Sequence, residues 1–115
     1  MALVQQDVII EQGATMQTLW EIQNKDLTTG YTFSAKFRSS HTATTASITL
    51  SSPTTLVVTR EGSHTHVTAN YSAALTAAIS APSNGVYDLE YTQTSTGVVT
   101  RAAEGSFYVT PEATR

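Results

Sequence analysis

Asn84-Gly85-Val86-Tyr87-Asp88-Leu89-Glu90-Tyr91, followed by a polar Thr92–Gly97 and then by Val98 to Val109 and Pro111, is the stretch that decides the fold. Val86 leads in, and Tyr87, Leu89 and Tyr91 then recur with the period of a strand that is apolar on one face. The polar segment reverses the chain, and Val98 to Val109 runs back. A long antiparallel β-hairpin results, and it is too apolar on one face to stand alone. Tyr87, Leu89, Tyr91, Phe107 and Val109 require cover from other strands. Gly105 interrupts the return strand. Glycine in a strand costs about 0.5–1 kcal/mol relative to alanine unless the backbone needs it. A bulge at Gly105, bending the last strand around the core, is the expected reason; close approach by another subunit is the alternative.

Working outward, the rest of the chain supplies that cover. Val8 to Glu11 is a short apolar strand stopped by Gly13. In Thr15 to Ile22, Met16, Thr18, Trp20 and Ile22 take one side and Gln17, Leu19 and Glu21 the other, with the single Trp expected in the core. Asn24 to Gly30 has turn chemistry. Tyr31, Phe33, Ala35 and Phe37 then alternate with polar residues up to Arg38. Shorter strands are expected at Ala46–Leu50, Leu56–Arg60 and His64–Tyr71, divided by Pro53 and by Glu61-Gly62-Ser63. Ser72 to Ile79 lacks strand character. Its alanines favour helix and Ser72 can cap the first turn, so one or two helical turns are expected there, crossing an end of the structure. About eight short strands at spacings near ten residues read as an all-β sandwich. The whole of 1–115 is one domain, with 1–6 as an extended N-terminal arm and 111–115 as a C-terminal tail.

Composition narrows the function. Charged residues are 13% of the 115, against about 25% in a typical domain, and Thr and Ser fill the polar role. Such a surface desolvates few full charges when a neighbour covers it. A net charge of −3, with no basic run, argues against binding a phosphate backbone. There are no cysteines, which excludes disulfides and thiolate chemistry. No apolar run reaches membrane-span length, and the start lacks a signal-peptide pattern, so neither a membrane role nor standard export is expected.

Catalysis needs a base or nucleophile oriented by a second group, and no such constellation stands out. No catalytic, cofactor-binding or metal-binding residue is assigned, no cofactor is expected, and the chain is not expected to be an enzyme. His64 and His66, two apart on one strand, form the best metal-like pair, but a third ligand would have to come from Asp88 or Glu90 on a neighbouring strand. Asp7, Glu11 and Glu21 could approach one another, but paired carboxylates need a cleft. Tyr31 or Tyr108 on the surface could stack on a sugar, which keeps a glycan-binding module as an alternative.

Several pieces, in order, resemble a group of small tailed-bacteriophage structural proteins. They are Asp26-Leu27-Thr28-Thr29-Gly30-Tyr31 leading to Arg38, the Ala-rich Ser72–Ile79, Gly85-Val86-Tyr87-Asp88-Leu89-Glu90-Tyr91, Val99-Thr100-Arg101, Glu104-Gly105-Ser106-Phe107-Tyr108-Val109 and the closing Pro111-Glu112-Ala113-Thr114-Arg115. The resemblance implies an immunoglobulin-like sandwich in a virion, made in the host cytoplasm, with no enzymatic activity. The preferred role is a capsid decoration or cement protein on the head surface, present in many copies and bridging major capsid proteins. A tail, neck or baseplate component is the alternative. A homotrimer at three-fold positions fits the resemblance, although the sequence does not count subunits. Residues 1–10 and 111–115 are the expected contacts to other virion proteins, with Glu112 and Arg115 as salt-bridge formers. Neither nucleic acid nor membrane is an expected partner.

Overall fold

The computed structural model describes residues 4–40, 42, 48–79, 81 and 83–111. Its strands are β1 (Val4–Gln5), β2 (Val8–Glu11), β3 (Met16–Ile22), β4 (Tyr31–Arg38), β5 (Ile48–Ser51), β6 (Leu56–Glu61), β7 (His64–Tyr71), β8 (Ser83–Gln93) and β9 (Val99–Thr110), with one helix, α1 (Ala73–Ala77), after β7. One sheet runs β9-β8-β4-β5, with β1 and β2 both on the outer edge of β9; the other runs β3-β7-β6. If β3 to β9 are lettered B, C, C′, D, E, F and G, then B-E-D faces G-F-C-C′, and the first strand pairs with G. That is the immunoglobulin-like β-sandwich.

Inward-facing residues of both sheets form one core. Trp20, Leu56, Val67 and Ala69 from the smaller sheet meet Phe37, Leu89, Ile10 and Ala103 from the larger, all fully buried. Aromatic rings fill the centre: Phe37 stacks on Tyr87 at 5.0 Å between centroids and meets Phe107 edge-on at 5.3 Å. The alternations expected in β3 and β4 are present, with Trp20 and Ile22 buried and Gln17, Leu19 and Glu21 outside. Ser72 caps α1 by accepting the Leu75 N–H at 3.1 Å. The start of the strand expected at Ala46–Leu50 lies outside the described residues, as do Met1–Leu3 and Glu112–Arg115.

Two expectations are corrected. The irregularity in β9 is at Ala102, not Gly105. Leu89 pairs with Ala103 and Glu90 with Arg101, so Ala102 is the extra residue. Ala102 and Ala103 are both buried, and this switches the phase of the strand. Val99 and Arg101 face out before the bulge, whereas Phe107 and Val109 face in after it. Gly105 is required for a different reason. A Cβ there would run into the Gln6 carbonyl, 2.8 Å from its carbon, and lie 3.1 Å from the Tyr87 ring. The approaching backbone belongs to the chain's own N-terminal segment. The described part of the arm, Val4 to Gln6, is docked on β9: Val4 pairs with Ala103 and Gln5 with Glu104, and the Gln6 N–H donates to the Glu104 carbonyl at 3.1 Å.

Candidate interaction surface

The polar groups inside the sandwich are spoken for. Trp20 Nε1 donates to the Tyr87 hydroxyl at 3.0 Å, and that hydroxyl donates in turn to the Gln6 carbonyl. Thr18 Oγ1 donates to the Tyr71 hydroxyl at 3.1 Å. Buried Thr65 accepts the Leu27 N–H at 2.8 Å and donates to the Lys25 carbonyl at 2.7 Å, fixing the β3–β4 connection. Burial pushes the Tyr71 hydroxyl up to about 12 and raises Tyr87 as well. Among the described residues no buried side-chain nitrogen or oxygen lacks a partner, so the accessible chemistry lies on the two outer faces and at the strand edges.

On the outer face of the smaller sheet, three cross-strand rungs stand side by side. Gln17 Nε2 donates to Asn70 Oδ1 at 2.8 Å. On the next rung Leu19, Thr68 and Val57 are register partners, and Leu19 is 50% and Val57 40% exposed. On the third, Glu21 Oε2 lies 2.9 Å from His66 Nε2, and hydrogen bonding from His66, reinforced by Gln23, holds the Glu21 carboxyl below its ordinary range. An apolar bar thus crosses the sheet between two polar rungs. The larger sheet has a counterpart in Ile9 (58% exposed) and Tyr108 (42%), which are also register partners. Val98 and Val99 are exposed at the tip of the β8–β9 hairpin.

The candidate residues read from sequence fall apart rather than together. His64 and His66 do share the outer face of β7, but Asp88 and Glu90 lie on β8 in the other sheet. His64 Nδ1 accepts the Asn24 N–H at 3.1 Å and His66 engages Glu21. Among the described residues no group of three His, Cys, Asp or Glu side chains could hold a metal ion. Asp7 and Glu11 flank or belong to β2 in the larger sheet while Glu21 is on β3 in the smaller, and Asp7 is occupied by the Ser106 N–H at 3.1 Å. Asp88 sits opposite Lys36 in register and 3.7 Å from Arg101, which also meets Glu104 at 3.2 Å. Such exposed pairs contribute little to stability. Tyr31 is half-buried edge-on against Tyr91 at 5.6 Å, leaving Tyr108 as the more open ring.

A groove of about 460 Å³ lies where β1 gives way to β2, lined by residues including Gln6, Asp7, Tyr87, Glu104 and Gly105. Sequence reasoning passed over Gln6 and the Tyr87 hydroxyl. Gly105 is the one available signal, and the close approach it suggests, by another subunit, is made instead by the chain's own Gln6.

No family model matches the chain, and no curated protein does. Among solved structures, the M1 domain from titin superposes with a TM-score of 0.44 at 13% identity, covering 97% of this chain and 94% of that one. The sandwich class rests on the strand order above.

Proposed function

We propose that this chain is a structural protein of a tailed-phage particle, a decoration or cement subunit that sits on the head and bridges major capsid proteins. In this reading the sandwich is a rigid spacer that works by being held, and it carries out no catalysis. The ordered resemblance of its segments to small phage structural proteins suggests the setting. The observation that carries the mode of action is the weakly charged exterior, on which the Leu19–Val57 bar, the Ile9–Tyr108 pair and the Val98–Val99 tip expose apolar side chains among Thr, Ser, Gln and Asn. Covering such faces removes apolar area from water at roughly 25 cal/mol per Å² and strips few full charges. Many weak contacts on a repetitive shell then add through multivalency.

The test is fractionation of purified particles of the phage that encodes the chain. Many copies per particle, remaining with heads when tails are removed, are expected. Particles without the chain would overturn the reading, and copies confined to tails would overturn the head assignment. Binding to a glycan array that is lost in Tyr108→Ala would replace it with a carbohydrate-binding role.

A further inference from the structure

The N-terminal segment is held by a surface that the other end of the chain builds. Among the described residues β1 and β2 pair with β9 alone, in parallel, while Val8 and Ile10 reach into the core. Gln6 crosses the seam between the sheets: its N–H donates to Glu104, its carbonyl receives the Tyr87 hydroxyl, and its side-chain amide donates to the Leu19 carbonyl at 3.3 Å. The receiving surface is built from residues outside the segment. It consists of the β9 edge, a Tyr87 hydroxyl engaged from behind by Trp20, and the missing Cβ of Gly105 that leaves room for the Gln6 carbonyl. Nothing in these contacts distinguishes residues 4–11 of this chain from residues 4–11 of another.

What keeps the segment at home is one short connection. Between Glu11 and Met16 the chain turns back through Gly13, whose φ of +83° is left-handed, with the Ala14 N–H bonded to the Glu11 carbonyl at 3.1 Å. Parallel pairing provides no hairpin turn joining β2 to its partner. Opening the Gln12–Thr15 connection into an extended linker would carry the same segment to a neighbouring molecule. It would sacrifice the contacts of that turn and preserve those of the strand. A vacated β9 edge would expose unpaired backbone groups and the core space of Val8 and Ile10, so it demands an occupant.

We propose that the β9 edge is a strand-receiving site for residues 4–11 of a second copy of this chain, two copies exchanging their first strands reciprocally. The proposal stands whether or not the protein belongs to a virion.

The test uses the full chain. Ile9 and Tyr108 are register partners with exposed side chains, and the protein has no cysteine of its own. Ile9→Cys and Tyr108→Cys chains, carrying different isotopes, are mixed at high concentration, allowed to exchange and oxidised. In parallel, native protein and Gly13→Val are followed by sedimentation over a wide concentration range. A side chain at position 13 penalises the left-handed turn but not an extended linker, so Gly13→Val should raise the dimer association constant about tenfold. The expected link joins position 9 of one chain to position 108 of the other. Monomers at every concentration with no 9–108 link would overturn the proposal, as would dimers bearing only 9–9 and 108–108 links. If Gly13→Val does not fold, the cysteine pair, on an otherwise native sequence, decides alone.

Discussion

Strand β9 is flanked by two neighbours held in opposite ways. On one side β8 pairs with it in antiparallel fashion over ten register pairs, the two strands joined by the Thr94–Gly97 turn. On the other side β1 and β2 pair in parallel over six, and Asp7 reaches Ser106 across 99 positions of sequence. The first pairing closes a short loop; the second closes nearly the whole chain, at a greater entropic cost that must be offset by burial of Val8 and Ile10. The difference teaches that two strands in one sheet need not open together. The hairpin is part of the body, and the N-terminal strand is a stave laid against it.

The comparison breaks most visibly if the body itself is damaged. Trp20 is fully buried and its indole N–H supports Tyr87, which holds Gln6. Trp20→Ala should cost about 3–5 kcal/mol, measured by urea unfolding, and should weaken stave and hairpin together. Alkaline pH probes the same interior. Tyr71 has its folded pKa at about 12, above its ordinary value of 10.0, so the folded state favours the protonated phenol. Its contribution, about 2–3 kcal/mol, is complete below pH 10 and is lost as pH rises through 12. Tyr71→Phe should flatten that limb of a stability–pH curve.

Gly105→Ala sharpens the contrast instead. The new methyl group collides with Gln6, and a penalty of about 1–3 kcal/mol for overpacking should fall on the stave. Limited proteolysis should then cleave within residues 4–15 while the β3–β7 region stays protected. Cleavage spread evenly along the chain would mean that the two regions open as one. The smallest effect is at low pH. The Glu21 carboxyl, lowered mainly by its hydrogen bond from His66, stabilises the fold above the ordinary glutamate pKa. That contribution fades as pH falls through the lowered folded value. Glu21→Gln should make the acid limb of the same curve slightly shallower.

The antiparallel parts of the sandwich were legible because periodicity and turn chemistry act locally. Tyr31 to Arg38 alternate over eight residues, Ser72 announces a helix cap, and Gly97 marks the hairpin reversal. The bulge was misplaced because glycine draws attention, whereas the true signal is a change of phase: Val99 and Arg101 occupy outward positions that Phe107 and Val109 would share without the extra Ala102. The docking of Val4 to Gln6 was not legible. A parallel partner about a hundred residues away leaves no turn between the strands, and Val8-Ile9-Ile10 pairs equally well on paper with any edge. Of the surface, Leu19 and Tyr108 stood in the sequence as apolar residues on polar sides, but only the register joins Leu19 to Val57 and Tyr108 to Ile9.

Native-state hydrogen exchange tests most directly whether the stave is held separately from the body. The probes are the amides of Gln6 and Gln12, bonded to Glu104 and Thr110, against the amides of the paired β3 and β7. Opening free energies for Gln6 and Gln12 at least about 2 kcal/mol below those of the β3–β7 pair are predicted, with little dependence on denaturant. Equal values for both sets, rising and falling together with global stability, would contradict the account.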